Sequence, residues 1–216
     1  MLKKFDYLSI AWLLFFSFFF LLMLQITLRY IPFSTEASFL QIKQTEVDSI
    51  RPYLSIFYVH VFSAICCLIA GFTQFSRFLL SNYKKLHKYM GYSYVLTVVL
   101  LAAPSGIYIG YYANGGWLAQ ISFMTLGLLW FLFTIRAMIA IKNRHIKLHR
   151  QFMLRSFALA FSAITLRLWK VILVYLFHPA PMDVYQIIAW LGWIPNLLVI
   201  EYLIRKNINS EETLSH

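Results

Sequence analysis

Three histidines, His60, His87 and His149, stand in a chain otherwise poor in reactive side chains. A b-type haem in a helical bundle needs two axial imidazoles, one from each of two facing helices at one depth, with basic residues for its propionates. His87 lies in Lys85-Leu86-His87-Lys88 and His149 in Lys147-Leu148-His149-Arg150, so the two share a depth and a basic setting. His60 could meet His178 near the other face. Four histidines in two layers is the pattern of the di-haem ascorbate-dependent cytochromes b, although His178 precedes Pro179 in a loop. The plain alternative for each is an interfacial histidine that binds water or lipid headgroups.

A second constellation is cationic. Arg167 sits in the middle of an apolar stretch, Lys170 follows one helical turn later, and no carboxylate is nearby. A charge at membrane depth is costly and by default marks function. Pro104-Ser105-Gly106 and Asn196 fall at a similar depth, and so does His60. Proline at 104 donates no backbone hydrogen bond, which frees a carbonyl to face Arg167 or a cavity. Arg167, Lys170, Ser105 and Asn196 are therefore candidates to hold an anionic or lipid-like ligand. The scaffold alternative has Lys170 snorkelling outward and Arg167 bonded to freed carbonyls and tyrosine hydroxyls.

A layer of polar residues at the opposite depth contains Gln74, Arg77, His87, Arg136, His145, His149, Arg155 and Glu201. Glu201 is the single carboxylate within any apolar run. Arg155 lies at a similar height in the preceding run, and pairing the two lowers the cost of both. Gln74, Arg155 and Glu201 are read as structural polar residues.

The elements that must position these groups are transmembrane helices. Of the 216 residues, 61% are apolar, 19% are aromatic and 12% are charged, far from a soluble globular composition. Six apolar runs, at 8–28, 54–75, 90–112, 118–141, 152–177 and 184–204, are each long enough to cross a hydrocarbon core of about 30 Å. Helices satisfy their own backbone groups in lipid, so the expected fold is an all-α, six-span membrane bundle forming a single domain. The first run has no small-residue cleavage site before Arg29 and reads as a retained helix.

Charge orients the bundle. Lys3 and Lys4, then Arg77, Lys84, Lys85 and Lys88, then Lys142, Arg144, Lys147 and Arg150, and finally Arg205 and Lys206 fall at alternate crossings. The other connections are balanced or nearly uncharged, which by the positive-inside rule places both termini in the cytoplasm. The net charge of +11 is thus topological, with membrane lipids as its partner rather than nucleic acid.

Shorter signals complete the organisation. The segment 29–53 interleaves mixed charges with Phe39, Leu40, Ile42, Val47 and Ile50, as a short helix on the membrane surface or a plain loop does. Asn114-Gly115-Gly116 is a turn that makes the third and fourth spans a hairpin. Adjacent Cys66 and Cys67 point in different directions on a helix and act as packing residues. The echo between Lys85–Lys88 and Lys147–Arg150 suggests two related hairpins, and hence a four-helix core of the second to fifth spans. No His-Glu-x-x-His helix, nucleotide loop or nucleophile elbow is present, and Ser105 has no base in its own helix, which argues against hydrolase chemistry.

In order and spacing, the run His60, Gly71-x-x-Gln74, His87-Lys88-x-x-Gly91, Pro104-Ser105-Gly106, Gly115-Gly116, Trp130, His149-Arg150-x-x-Met153-x-Arg155-Ser156, Arg167 and Glu201 resembles the bacterial membrane protein family known as domain of unknown function 2306. It departs from the family pattern at Lys88, where arginine is expected, and at Phe152, where tryptophan is expected. The resemblance spans about residues 40–204. It implies a multi-pass protein of the bacterial inner membrane and no known reaction. Two function classes are therefore open. One is a redox or haem-binding protein using His60, His87 and His149; the other is a non-enzymatic carrier or binding protein that holds an anionic or lipid-like ligand, a quinone among them, against Arg167.

Overall fold

A computed structural model of the chain describes residues 7–75, 77–178 and 180–213, and among these it contains helices and turns but no strand. Lys3 and Lys4 lie outside the described residues, as does the side chain of Arg77. The chain divides into two compact units, Met1–Ile50 and Arg51–His216.

The first unit holds α1 (Tyr7–Leu28), a 3-10 turn (Ser38–Ile42) and α2 (Gln44–Ser49), so the segment after the first apolar run is locally helical, as one of its two readings expected. Its side chains satisfy its own backbone. The Gln44 amide donates to the Thr35 carbonyl at 2.7 Å and to the Leu40 carbonyl at 2.8 Å, while Lys43 pairs with Glu46 one turn on.

The second unit is built from α3 (Tyr53–Gln74), α4 (Arg77–Asn82), α5 (Lys84–Thr97), a π-helical turn (Val98–Ala102), α6 (Ala103–Tyr111), α7 (Gly116–Lys142), α8 (Ile146–Ala160), α9 (Ser162–Phe177), α10 (Pro181–Leu191) and α11 (Ile194–Thr213). Four stretches among the described residues are long and apolar enough to cross a membrane: Tyr53–Gln74, Lys84–Tyr111, Gly116–Lys142 and Met182–Lys206. The bent pair α8 and α9 makes a fifth. A sixth crossing at α1 and the cytoplasmic placement of both termini rest on the sequence alone, since the apolar stretch counted there is the shorter Ser17–Leu28.

Within the second unit, α3 packs on α5, the π turn and α6, while α7 packs on α6 and α8. The elements of the second to fifth spans therefore contact one another, and α10 and α11 add to them through α7, α8 and α9. The α6–α7 hairpin turns at Gly115 and Gly116, whose φ values of 91° and 71° are left-handed and favour glycine. Cys67 is buried and Cys66 exposed, on different sides of α3.

Three of the spans are not the uniform rods that hydropathy suggests, the last being interrupted at Gly192 and Trp193 between α10 and α11. Lys84–Tyr111 contains the π turn just before Pro104, where the Ala103 amide reaches back five residues to the Val98 carbonyl. The fifth run, read as one helix over 152–177, bends by 40° at Phe161. Neither proline nor glycine lies at that bend, and its cause is a side chain from α11, described below.

Packing between the spans is close. A Cβ added at Gly71 would lie 2.3 Å from Cε2 and 2.4 Å from Cδ2 of Phe157, a ring already 5.3 Å from that of Phe72 and 5.1 Å from that of Phe75. Gly71→Ala is expected to lower stability by about 1–3 kcal/mol through overpacking. Thermal unfolding in detergent measures it, and an unchanged midpoint would mean that Phe157 moves aside freely.

Candidate functional site

The most ordered polar feature of the bundle is a closed ring of hydrogen bonds joining α5, α7 and α8. Trp130 Nε1 lies 3.1 Å from the Tyr94 hydroxyl, Tyr94 lies 2.8 Å from Ser156 Oγ, and Ser156 lies 2.7 Å from Thr134 Oγ1. Thr134 Oγ1 lies 2.7 Å from the Trp130 carbonyl. The direction of every bond follows from the two ends, because an indole N–H only donates and a carbonyl only accepts. Trp130 donates to Tyr94, Tyr94 to Ser156, Ser156 to Thr134, and Thr134 back to Trp130. All four residues are buried, and each hydroxyl donates once and accepts once.

This ring fixes the register of the histidines. His87 is seven residues before Tyr94 on α5, and His149 is seven before Ser156 on α8. Seven residues complete two turns to within about 20° and span about 10 Å. Contact between Tyr94 and Ser156 therefore turns the faces carrying His87 and His149 toward each other, each histidine two turns from the ring.

Neighbouring helices hold both histidines. Nδ1 of His149 lies 2.8 Å from the Ala137 carbonyl of α7, so Nδ1 carries the proton and Nε2 keeps its lone pair. The His87 carbonyl accepts from the Gln74 amide of α3 at 3.2 Å. His87 Nδ1 is enclosed and has no hydrogen-bond partner among the described residues. Lys84, Lys85, Lys88, Lys147 and Arg150 surround this end of the bundle and are exposed.

The other candidate layer gathers around the π turn. His60 Nδ1 lies 2.9 Å from the Ala102 carbonyl and 3.4 Å from Ser105 Oγ, and the Ser105 hydroxyl donates to the Leu101 carbonyl. The carbonyl beside Pro104 that takes an outside partner is thus that of Ala102, and its partner is His60 rather than Arg167. Arg167 Nη1 donates to the Ala163 carbonyl of its own helix at 2.6 Å. Lys170 lies over the Tyr185 ring at 5.5 Å. His178 is exposed at the end of α9 with φ 47°.

Asn196 has a mechanical setting. Its Nδ2 lies 3.2 Å from the Ala158 carbonyl, 2.9 Å from Thr165 Oγ1 and 3.2 Å from the Gly192 carbonyl, and Thr165 also donates to Gly192. These bonds span the break at Phe161 and give the helix the partners that its lost turn requires. Arg155 and Glu201 form the expected pair: Arg155 Nε donates to Oε1, and Nη2 donates to Oε2 at 2.9 Å. Arg136 and Arg155 lie 5.9 Å and 5.3 Å from the Phe152 ring.

Sequence reasoning passed over Tyr94, Thr134 and Thr165, and it met Trp130 and Ser156 only through the family resemblance. The signal for Tyr94 was present in the internal echo. Extended by two turns, the alignment of His87 with His149 sets Tyr94 opposite Ser156, two hydroxyls at mid-span on equivalent faces.

No curated protein and no solved structure matches the chain. A family model does, with the description "Predicted membrane protein (DUF2306)", over residues 57–204. That range contains the ring, the paired histidine faces, the π turn, the Asn196 brace and the Arg155–Glu201 pair, and this helical membrane protein belongs to the DUF2306 family.

Proposed function

We propose that this membrane protein binds a b-type haem between His87 and His149 and serves one-electron transfer at the basic end of the bundle. The observation that carries the reading is the 2.8 Å Tyr94–Ser156 contact, which turns the two histidine-bearing faces toward each other. The donor set fits the group. Haem-ligating imidazoles characteristically hold one ring nitrogen on a carbonyl and offer the other, as His149 does through Ala137. His87 has an enclosed Nδ1 with no partner among the described residues, which leaves Nε2 as the nitrogen it would offer. A haem held by two imidazoles supplies reversible one-electron transfer with no open position for a substrate.

The residues of this chain do the rest. Gln74 holds the His87 backbone and Ala137 holds the His149 ring, so the His149 imidazole is oriented in advance. The flanking lysines and Arg150 would offset the charge of haem propionates at the membrane boundary. The alternative of an anionic ligand held by Arg167 has less support, because Arg167 already donates to Ala163.

Protein purified after expression with haem supplied is expected to be red, with a sharp band that shifts on dithionite reduction. His87→Ala and His149→Ala should each abolish the band, and His60→Ala should retain it. Colourless wild-type protein, or a band that survives both substitutions, would sink the proposal.

A further inference from the structure

We propose that His60 is the hydrogen-bond acceptor of a binding site for a membrane-soluble quinol. The site does not depend on haem at His87 and His149. Its imidazole is fixed from three directions. Nδ1 lies 2.9 Å from the Ala102 carbonyl, which only accepts, so the proton is on Nδ1 and the lone pair on Nε2. Ser105 lies 3.4 Å from Nδ1, but its own hydroxyl hydrogen points to the Leu101 carbonyl and leaves that assignment unchanged. Gly106 supplies the space, since a Cβ there would stand 2.9 Å from Cε1 of the ring.

Nε2 is therefore an acceptor with a set direction. It makes no hydrogen bond to any described residue, and the His60 side chain is half-buried. His60 is seven residues into α3 from Tyr53, about 10 Å along the helix from that end. At that depth lipid supplies no hydrogen-bond donor, so an open acceptor is either a standing cost or a place for a ligand. The π turn in front of Pro104 reinforces the second reading. It places the Ala102 carbonyl against His60, and such turns recur at functional sites.

An uncharged acceptor at this depth selects a ligand that carries a hydroxyl hydrogen on an apolar body. A fatty-acid carboxylate brings no proton for Nε2. The glycerol hydroxyl of a lipid headgroup carries the proton but sits at the surface, about 10 Å short of His60 by the same helical rise. A quinol has phenolic hydroxyls on a ring that dissolves at this depth. Its oxidised quinone has acceptors alone and cannot satisfy Nε2.

The test is thermal unfolding of the protein in phosphatidylcholine nanodiscs with a decyl-substituted benzoquinol, its benzoquinone, or added phosphatidylglycerol. The quinol is expected to raise the unfolding midpoint and the other two are not. His60→Phe, which keeps an aromatic ring but no acceptor, should remove the shift. Gly106→Ala, which crowds the ring without deleting it, should weaken quinol binding about tenfold, the worth of one hydrogen bond. Equal shifts from quinol and quinone, a shift from phosphatidylglycerol matching that of quinol, or full quinol response in either variant would overturn the proposal. The readout is melting rather than colour, so its failure and the failure of the haem reading are separate results.

Discussion

Replacing Glu201 with glutamine is expected to cost about 3 kcal/mol, the scale for stranding one partner of a partly buried ion pair. Arg155 meets Glu201 with two parallel N–H donors, one to each carboxylate oxygen. The side chains are 17% and 31% exposed, and in a membrane much of that exposure is to lipid rather than water. Glutamine keeps the shape but presents an NH2 donor where the guanidinium also donates, so one contact becomes repulsive and the arginine charge loses its counter-charge. The double variant Arg155→Leu with Glu201→Leu should recover most of the loss, because no charge is then stranded. Unfolding midpoints in detergent decide it. Equal damage from Glu201→Gln and from the double variant would mean that the pair does not stabilise as a pair.

That pair is one of the few tertiary contacts legible in the sequence, and the reason is scarcity. With one carboxylate among the apolar runs, and Arg155 at a similar height in the run just before it, the pairing that lowers the cost of both charges could be read from the chain. The helical membrane class and most helix bounds were readable for a similar reason, since about 20 apolar residues have few other uses. The bend at Phe161 left no local trace because its cause lies in another helix. Asn196 and Thr165 are ordinary polar residues until folding brings them together across the break. Pro104 announced a disturbance of its helix but not which carbonyl would take an outside partner, which depended on His60 of α3. Matching His87 with His149 needed only an equal depth. Turning their faces together needed Tyr94 and Ser156, whose correspondence shows along the chain only when the four-residue echo is extended by two turns.

Tyr94→Phe is expected to destabilise the bundle by about 2 kcal/mol although it removes a single oxygen and leaves no cavity of note. The loss comes from position. Trp130 N–H, buried and able only to donate, is left with no acceptor, and Ser156 loses the donor that Tyr94 supplied. Ser156→Ala instead strands the Tyr94 hydroxyl hydrogen and the accepting side of Thr134. If the four groups act as one directed ring, breaking it a second time costs little more than breaking it once. The Tyr94→Phe and Ser156→Ala double variant should then fall short of the sum of the single losses by about 1 kcal/mol. Strict additivity would mean four independent bonds, and the register that the ring imposes on His87 and His149 would have to come from helix packing alone.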